Sequence, residues 1–364
     1  MPPPALGVSE ALAGQAVTVT AAAALFSGLL VPGLTRGIDR RLVLLCFSTL
    51  MTASNLLVAF SSSLTVLLLM RILLGIALGG FWSMAAAVAM RLVPAALLPR
   101  ALSIIFSGIA VGTVVAVPLG SYLGGMYGWR SAFVAAAAVG VVTLIFQLFT
   151  LPRLAPRRTA RLRTVLEVLL RPGIALGMLG CVLVHTGHFA LFTYIRPFLE
   201  STTGVGPDGL ALMLLGFGVA NFAGTLLAGR LLERSPRGTL ALMPALVGVA
   251  ALALALLPAS VAGQALLVAL WGMAFGGVPV AWSNWVARAV PDQAESAGGM
   301  VVASVQAAIA AGAAAGGAMF SFKGIAGVFM AAGVLMMLAA LLIALRVRVE
   351  SPRHGAGAGP ASHR

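Results

Sequence analysis

The chain has 364 residues, of which 60% are hydrophobic and 9% are charged, and its mean hydropathy is +1.06. A soluble chain of this length needs a charged surface, so the composition excludes a soluble protein and predicts a polytopic membrane protein. Lys and Arg outnumber Asp and Glu by 23 to 9. Because the basic residues cluster between apolar segments, we interpret them as a topology signal and expect no nucleic-acid partner.

Apolar segments of roughly 18–25 residues are long enough to cross a bilayer as helices. We predict eleven such spans, at about 11–32, 42–60, 64–90, 101–124, 131–151, 173–195, 209–231, 239–257, 261–286, 297–320 and 325–345. The expected fold class is therefore an all-α polytopic membrane protein.

The distribution of charge orients these spans. Nineteen of the 23 basic residues lie in one set of alternate loops or in the C-terminal tail, whereas Arg130, Arg196 and Lys323 lie on the opposite side. By the positive-inside rule the nineteen are cytoplasmic. We expect a multi-pass protein of the bacterial inner membrane, with residue 1 outside and the C-terminus in the cytoplasm.

The longest and most basic loop is "LPRLAPRRTARLRTVLEVLLRPG" at 151–173, which suggests a linker between two bundles. We predict an N-terminal bundle over 1–151, a basic cytoplasmic linker over 152–172 and a C-terminal six-helix bundle over 173–345. The Gly/Pro/Ser-rich segment 346–364 is expected to be a disordered cytoplasmic tail.

An internal repeat supports the division into two bundles. Four residues of the third span recur 197 positions later in the ninth: Gly79, Gly80, Arg91 and Pro94 match Gly276, Gly277, Arg288 and Pro291. A chance match in a Gly- and Ala-rich chain is the alternative. The same offset places the start of the first six-helix unit about 24 residues before residue 1. We therefore expect five spans in the N-terminal bundle, with its first helix missing.

Several stretches together resemble one known family. They are "VSEALAGQAVTVTA" (8–21), "GIALGGFWSMAAAVAMRLVP" (75–94), "PLGSYLGGMYGWRSAF" (118–133), "FALFTYIRP" (189–197) and "PDQAESAG" (291–298). The chain resembles a major facilitator superfamily transporter of the drug:proton antiporter type, and is most similar to the purine ribonucleoside efflux pumps. The resemblance implies the twelve-helix major facilitator fold, built from two pseudo-repeated bundles.

The resemblance also assigns roles to individual residues. In "GLTRGIDRR", Asp39, Arg40 and Arg41 match the basic loop between the second and third helices, which implies a cytoplasmic charge latch. The loop departs from the usual Gly-rich pattern of that motif. In "RILLG", Arg71 and Gly75 match the arginine motif of the fourth helix.

A third family motif lies in "GTVVAVPLGSYLGG", which resembles the antiporter motif of the fifth helix. Gly112, Pro118, Gly120 and Gly124 match that motif, whereas Val117 stands where the motif prefers glycine. These matches imply antiport.

Arg71 lies within a predicted span, where an unpaired charge is costly and is by default functional. On a 3.6-residue period, Arg71, Gly75, Leu78 and Trp82 share one face. This face is a candidate for the substrate pathway. The alternative is that Arg71 extends to the outer interface.

The polar stretch "HTGHFALFTYIRP" places His185, His188, Phe192 and Arg196 in a narrow arc of one helix. Neutral imidazoles can hydrogen-bond a ligand, and they titrate where a proton gradient can change their charge. Two satisfied interhelical histidines are the alternative. Without acidic or cysteine partners, their spacing gives only weak support for a metal site.

Further candidates are aromatic or amide side chains. Trp271, Trp282 and Trp285 share a face and could stack on planar bases, but we favour an interfacial belt. Asn221 and Gln306 are single amides within spans. Each could hydrogen-bond the edge of a base or join two helices.

None of the nine acidic residues lies at the middle of a predicted span. The resemblance implies that the absent first helix supplies the proton-carrying acid. Without that helix, His185 and His188 are the remaining titratable candidates. We expect the proton gradient to be the energy source, with no cofactor and no bound metal.

The expected function is export of purine ribonucleosides or analogues by proton antiport, working as a monomer in the lipid bilayer on a small-molecule substrate. Sugar or multidrug efflux by the same fold is the nearest alternative, and an inactive, N-terminally truncated fragment is another. The absence of H-E-x-x-H, of paired intramembrane carboxylates and of a nucleophile constellation argues against an enzyme.

Overall fold

The computed structural model describes residues 10–61, 63–156, 164–257 and 260–347, and the regular structure of these residues is entirely helical. The helices are α1 (Glu10–Leu34), α2 (Arg40–Ala59), α3 (Leu64–Leu92), α4 (Leu98–Tyr127), α5 (Trp129–Thr150), α6 (Thr164–Leu169), α7 (Ile174–Thr203), α8 (Pro207–Arg234), α9 (Pro236–Leu256), α10 (Val261–Gly276), α11 (Val278–Ala289) and α12 (Ala294–Arg346). The all-α expectation is confirmed.

Short polar residues start several of these helices. The side chains of Asp39, Ser63, Ser235 and Ser260 each accept a hydrogen bond from a backbone N–H in the first turn of α2, α3, α9 and α10 respectively. Each cap satisfies a donor that the helix itself leaves unpaired. The caps fix where the loops end and the apolar helices begin.

Two predicted boundaries differ from the structure. The predicted span 261–286 is divided at Gly277 into α10 and α11, because Pro279 in the first turn of α11 lacks the N–H that would continue α10. The predicted spans 297–320 and 325–345 both lie within α12. Gly324 separates them with a φ of 69°, a conformation that favours glycine.

The described residues contain nine helices that are long and apolar enough to cross a membrane, counting α10 with α11 as one and α12 as one. A shorter apolar stretch, Val19–Leu34, belongs to α1. The count of eleven spans therefore stays a prediction.

The two bundles repeat the same helix crossings at the predicted offset. Where α1 crosses α3, and where α8 crosses α10, a Cβ on a glycine of the second helix would overlap a carbonyl oxygen of the first. The glycine–carbonyl pairs are Gly75 with Thr20, Gly79 with Ala24, Gly272 with Phe217 and Gly276 with Asn221. Each pair in the second bundle lies 197 residues after its counterpart in the first. The pseudo-repeat is thus present in the packing as well as in the sequence.

The two bundles meet at the end where α1 and α3 finish and α4 and α12 begin, which we call the basic end. There, a Cβ on Gly299 would overlap the carbonyl of Gly28, and a Cβ on Gly298 would overlap the carbonyl of Ser83. Neither position has room for a side chain. The basic end is therefore closed in this structure.

The remaining domain boundaries stay predictions. The predicted linker 152–172 contains the short helix α6, and its residues 157–163 lie outside the described part of the chain. The predicted tail 346–364 falls almost wholly outside that part, whose last residue is 347.

Candidate functional site

Two buried histidines lie one turn apart near the middle of α7, and their hydrogen bonds fix different tautomers. His185 Nδ1 lies 2.8 Å from the carbonyl oxygen of Cys181 and donates to it. His188 Nδ1 lies 3.1 Å from the indole Nε1 of Trp271 and accepts its N–H. In their neutral forms, Nε2 of His185 is therefore an acceptor, whereas Nε2 of His188 carries the proton and is a donor.

Aromatic rings of α7 and α10 contact His188, and α8 adds a further ring beside them. Its imidazole stacks between Phe192, with ring centroids 5.6 Å apart, and Phe275, whose plane is parallel to within 1°. Phe217 contacts both Phe192 and Trp271, at centroid distances of 5.6 and 5.1 Å. We call Phe192, Phe217, Trp271 and Phe275 the aromatic cluster. Phe192 is 44% exposed while His188 is 3% exposed, so the cluster presents an open aromatic face over a buried imidazole.

The arc predicted on α7 does not extend to Arg196. The Arg196 side chain is 70% exposed and pairs with Glu200, one turn further along the helix, at 2.8 Å. The structure brings His185, His188 and Phe192 together and leaves Arg196 outside the cluster.

The predicted interfacial belt is wrong. Trp271, Trp282 and Trp285 are 1%, 1% and 2% exposed, and the latter two pack against Gly180 and Gly177 of α7. The glycines leave room for the indoles, which hydropathy alone cannot show.

Phe217 and Phe275 of the aromatic cluster were not predicted from the sequence. Phe275 follows Trp271 by one helical turn, and Phe217 is the residue whose carbonyl contacts Gly272. The sequence signals for these two residues are the one-turn spacing of Phe275 from Trp271 and the presence of Gly272 opposite Phe217. Hydropathy gives no signal, because Phe is common in apolar spans.

The face predicted on α3 is divided between two environments. Half-buried Arg71 places its guanidinium 5.1 Å from the ring centroid of Phe133 on α5. Its buried Nε has no hydrogen-bond partner among the described residues. Trp82, three turns away, stacks on Phe106 of α4 at 4.8 Å. Gly75 lies between them, against α1.

The two amides predicted in the pathway differ in their surroundings. Asn221 Nδ2 donates to the carbonyl of Gly272 at 3.2 Å, which joins α8 to α10. This contact is the helix-joining role that the sequence left open. Gln306 is half-buried on α12.

The residues of the antiporter motif all lie on α4. Among the described residues, nothing lies within 4 Å of a Cβ placed on Gly112. The nearest atoms at Gly120 and Gly124 are 4.0 Å away, on Ala132 and Trp129. Pro118 lies in the same helix. Among the described residues, no atom therefore lies closer than 4.0 Å to a Cβ placed on any of these three glycines.

The predicted latch loop is ordered by Asp39. Its Oδ1 accepts hydrogen bonds from the backbone N–H of Leu154 at 3.1 Å and of Arg41 at 2.8 Å. These bonds, with the one from Leu154 as the main cause, hold the pKa of the Asp39 carboxyl below its usual value. Arg41 in turn donates to the carbonyl of Leu148 at the end of α5, so the loop is fixed within its own bundle.

Arg40 of the same loop reaches into the other bundle. Its Nε and Nη2 lie 2.7 and 2.5 Å from the two carboxylate oxygens of Glu295, at the start of α12. Nη1 donates to the carbonyl of Thr35 at 2.5 Å. The Arg40 side chain is fully buried and that of Glu295 is 14% exposed. This fork-to-fork ion pair joins the two bundles across the basic end.

A second ion pair also crosses the basic end, between α4 of the first bundle and α8 of the second. Arg100, in the first turn of α4, lies 2.6 Å from Glu233 at the end of α8. This pair is more exposed, at 59% and 26%. Glu233 and Glu295 were predicted only to lie away from the middle of a span, because nothing local to them indicates a partner in the other bundle.

Comparisons with known proteins agree with this architecture. The family model described as Major Facilitator Superfamily matches residues 2–302 and 178–362. Purine ribonucleoside efflux pump NepI of Salmonella enteritidis PT4 is 44% identical over 344 residues, covering 94% of this chain and 87% of the relative. The pump of the same name from Salmonella typhimurium LT2 gives the same identity and coverage.

Solved structures give the same fold. The crystal structure of FucP, a Major Facilitator Superfamily transporter in the outward conformation, has a TM-score of 0.77 at 14% identity, covering 94% of this chain and 91% of that one. The proton:xylose symporter XylE, bound to 6-bromo-6-deoxy-D-glucose, has a TM-score of 0.73 at 18% identity, covering 94% and 88%. With its apolar helices, its repeated bundles and these matches, the chain belongs to the Major Facilitator Superfamily and is a multi-pass membrane transporter rather than an enzyme.

Proposed function

We propose that this transporter exports purine ribonucleosides or closely related compounds, driven by inward proton movement. The observation that carries the substrate class is its 44% identity to purine ribonucleoside efflux pumps over 94% of the chain. We place it in the inner membrane of a bacterium with its basic end in the cytoplasm, as the positive-inside rule indicates.

The aromatic cluster supports a planar, heteroaromatic ligand. Stacking of a base on an aromatic side chain contributes about 1–3 kcal/mol. Phe192 is 44% exposed and so is accessible for such a contact, and Phe217 packs beside it. A nucleoside base therefore fits the chemistry of the cluster.

The closed basic end corresponds to one state of an alternating-access cycle. Opening it would separate Arg40 from Glu295 and Arg100 from Glu233, and would part Gly299 from Gly28. Binding of substrate or of a proton must supply the free energy that is lost when these contacts break. The latch thus sets how readily the transporter opens to the cytoplasm.

We assign the transported proton to His185. Protonation at its Nε2 leaves the hydrogen bond from Nδ1 to the Cys181 carbonyl intact. Full protonation of His188 would instead place a proton on Nδ1 and break the bond from Trp271. His185 can therefore change charge without losing the contact that positions it, whereas His188 cannot.

The direct test is efflux of radiolabelled inosine from bacterial cells that express the full chain. Cells are loaded with inosine, diluted into inosine-free medium, and compared with cells that carry an empty vector. Faster loss of label supports nucleoside export, and equal rates would overturn it. A protonophore should slow the efflux, and an unchanged rate would remove proton coupling from the proposal.

A further inference from the structure

His188 has two ring nitrogens in different situations. Nδ1 accepts the indole N–H of Trp271, while no hydrogen-bond partner of Nε2 is found among the described residues. The side chain is only 3% exposed. The Nε2–H is therefore a donor that the described residues leave available to a group arriving from outside the protein.

We propose that His188 donates a hydrogen bond from Nε2 to an acceptor on the edge of the purine base. This inference rests on the proposed function, because it names the residue that recognises the exported nucleoside. Trp271 is a positioning residue: its N–H occupies Nδ1, and so it keeps the proton of the neutral imidazole on Nε2.

His185 and His188 differ in the element that supplies their hydrogen-bond partner. His185 satisfies its Nδ1–H on a carbonyl of its own helix, which needs no other element. The hydrogen bond to His188 comes instead from α10, and Phe275 of the same helix stacks against its ring. The orientation and tautomer of His188 are therefore set by another helix, which leaves Nε2–H as its remaining donor.

A fixed donor selects ligands by their acceptors. Inosine presents acceptors at N7 and at the 6-oxygen, which are adjacent on one edge of the base. 7-Deazainosine lacks the first and purine riboside lacks the second. The proposal requires that removal of one of these acceptors weakens binding, and that the weakening depends on His188.

The test is binding of tritiated inosine to the purified full-length protein, with the two analogues as competitors. In the unmodified protein, we expect about tenfold weaker binding of the analogue that lacks the recognised acceptor. His188→Phe keeps a stacking ring but has no donor. The affinity for inosine should therefore fall until it equals the affinity for that analogue. His188→Gln restores a donor and should recover part of the difference.

Trp271→Phe tests the positioning role, because it keeps an aromatic ring and removes only the N–H. We expect it to reduce the discrimination between inosine and the analogue while His188 is still present. Trp282→Phe is the matched control, since that buried indole packs on Gly180 and lies outside the aromatic cluster. It should leave the discrimination unchanged.

Two results would overturn the inference: discrimination that persists in His188→Phe, or an equal loss of binding for all three nucleosides in that variant. The second would show that His188 only supports the fold. Nucleoside binding with this pattern but without efflux would overturn the export function and leave the recognition by His188 standing.

Discussion

Arg40 and Glu295 are 255 positions apart in sequence, yet they form a two-point ion pair with Arg40 fully buried. The residues belong to different bundles, so the pair exists only while the basic end is closed. Removing one partner would leave the other charge buried and uncompensated, which costs about 3–5 kcal/mol.

The first prediction concerns this pair. Glu295→Gln should shift the transporter toward an open basic end. Ser83→Cys, fully buried where α3 meets α12, is a suitable reporter in a chain whose exposed Cys46 is replaced by serine. We expect its labelling by a thiol reagent to become at least tenfold faster. Arg36→Ala is the control, because Arg36 is exposed in the same loop. Unchanged labelling in Glu295→Gln would show that the pair does not hold the basic end shut.

The second prediction is that the two ion pairs contribute unequally. Arg100 and Glu233 are substantially exposed, and such pairs stabilise by about 0–1 kcal/mol. Glu233→Gln should therefore change labelling of the same reporter by less than fivefold. An effect as large as that of Glu295→Gln would contradict this ranking.

The third prediction concerns pH. Because hydrogen bonds hold the pKa of Asp39 below its usual value of 3.8, its carboxylate stabilises the fold at pH values above that. This contribution is lost as the pH falls through the lowered pKa. Asp39→Asn should lower the thermal midpoint in detergent at pH 6, and the difference from the unmodified protein should shrink toward pH 3. A difference that is independent of pH would mean that the charge has no part in ordering the loop.

The fourth prediction tests the repeated helix crossings. Gly75→Ala and Gly272→Ala should each destabilise by about 1–3 kcal/mol, since a Cβ would meet a carbonyl of the neighbouring helix. Gly108→Ala is the matched control in α4, where nothing described lies within 4 Å of the new atom. It should be neutral or slightly stabilising, as alanine favours a helix. Thermal unfolding in detergent measures all three, and equal midpoints would refute the crossing model.

The fifth prediction separates coupling from transport. His185→Gln removes the proton acceptor but retains a side chain that can donate to the Cys181 carbonyl. Inosine efflux driven by a pH gradient should fall to the vector level, whereas exchange of inosine across the membrane without a gradient should continue. Efflux that still follows the gradient would assign the proton to another group.

Much of the fold was predictable because each helix that crosses the bilayer must be long enough and apolar enough to do so. The repeat was predictable for a related reason: Gly79 and Gly276 recur because each must let a carbonyl of the neighbouring helix approach. The division of the ninth predicted span at Gly277 was less accessible, since an apolar segment keeps its hydropathy whether or not its helix is continuous.

The candidate site was only partly predictable. Spacing on one helix correctly grouped His188 with Phe192, but it included Arg196, because helical periodicity says nothing about where a neighbouring helix ends. Trp271 was wrongly predicted to lie at the membrane interface, because Trp occurs both in helix-packing cores and at membrane interfaces and the residue type does not distinguish them. The partner of Arg40 was not predictable from local sequence, because only the pseudo-twofold arrangement of the bundles brings Glu295 to it.

The two ion pairs also carry information about assembly. The first bundle supplies both guanidinium groups, from Arg40 and Arg100, and the second supplies both carboxylates, from Glu233 and Glu295. By the 197-residue offset, Arg40 corresponds to Arg237 in the second bundle, whereas Glu295 corresponds to Leu98 in the first. The duplicated bundles have thus kept the basic position and diverged at the acidic one, so this two-point ion pair crosses the basic end in one direction only.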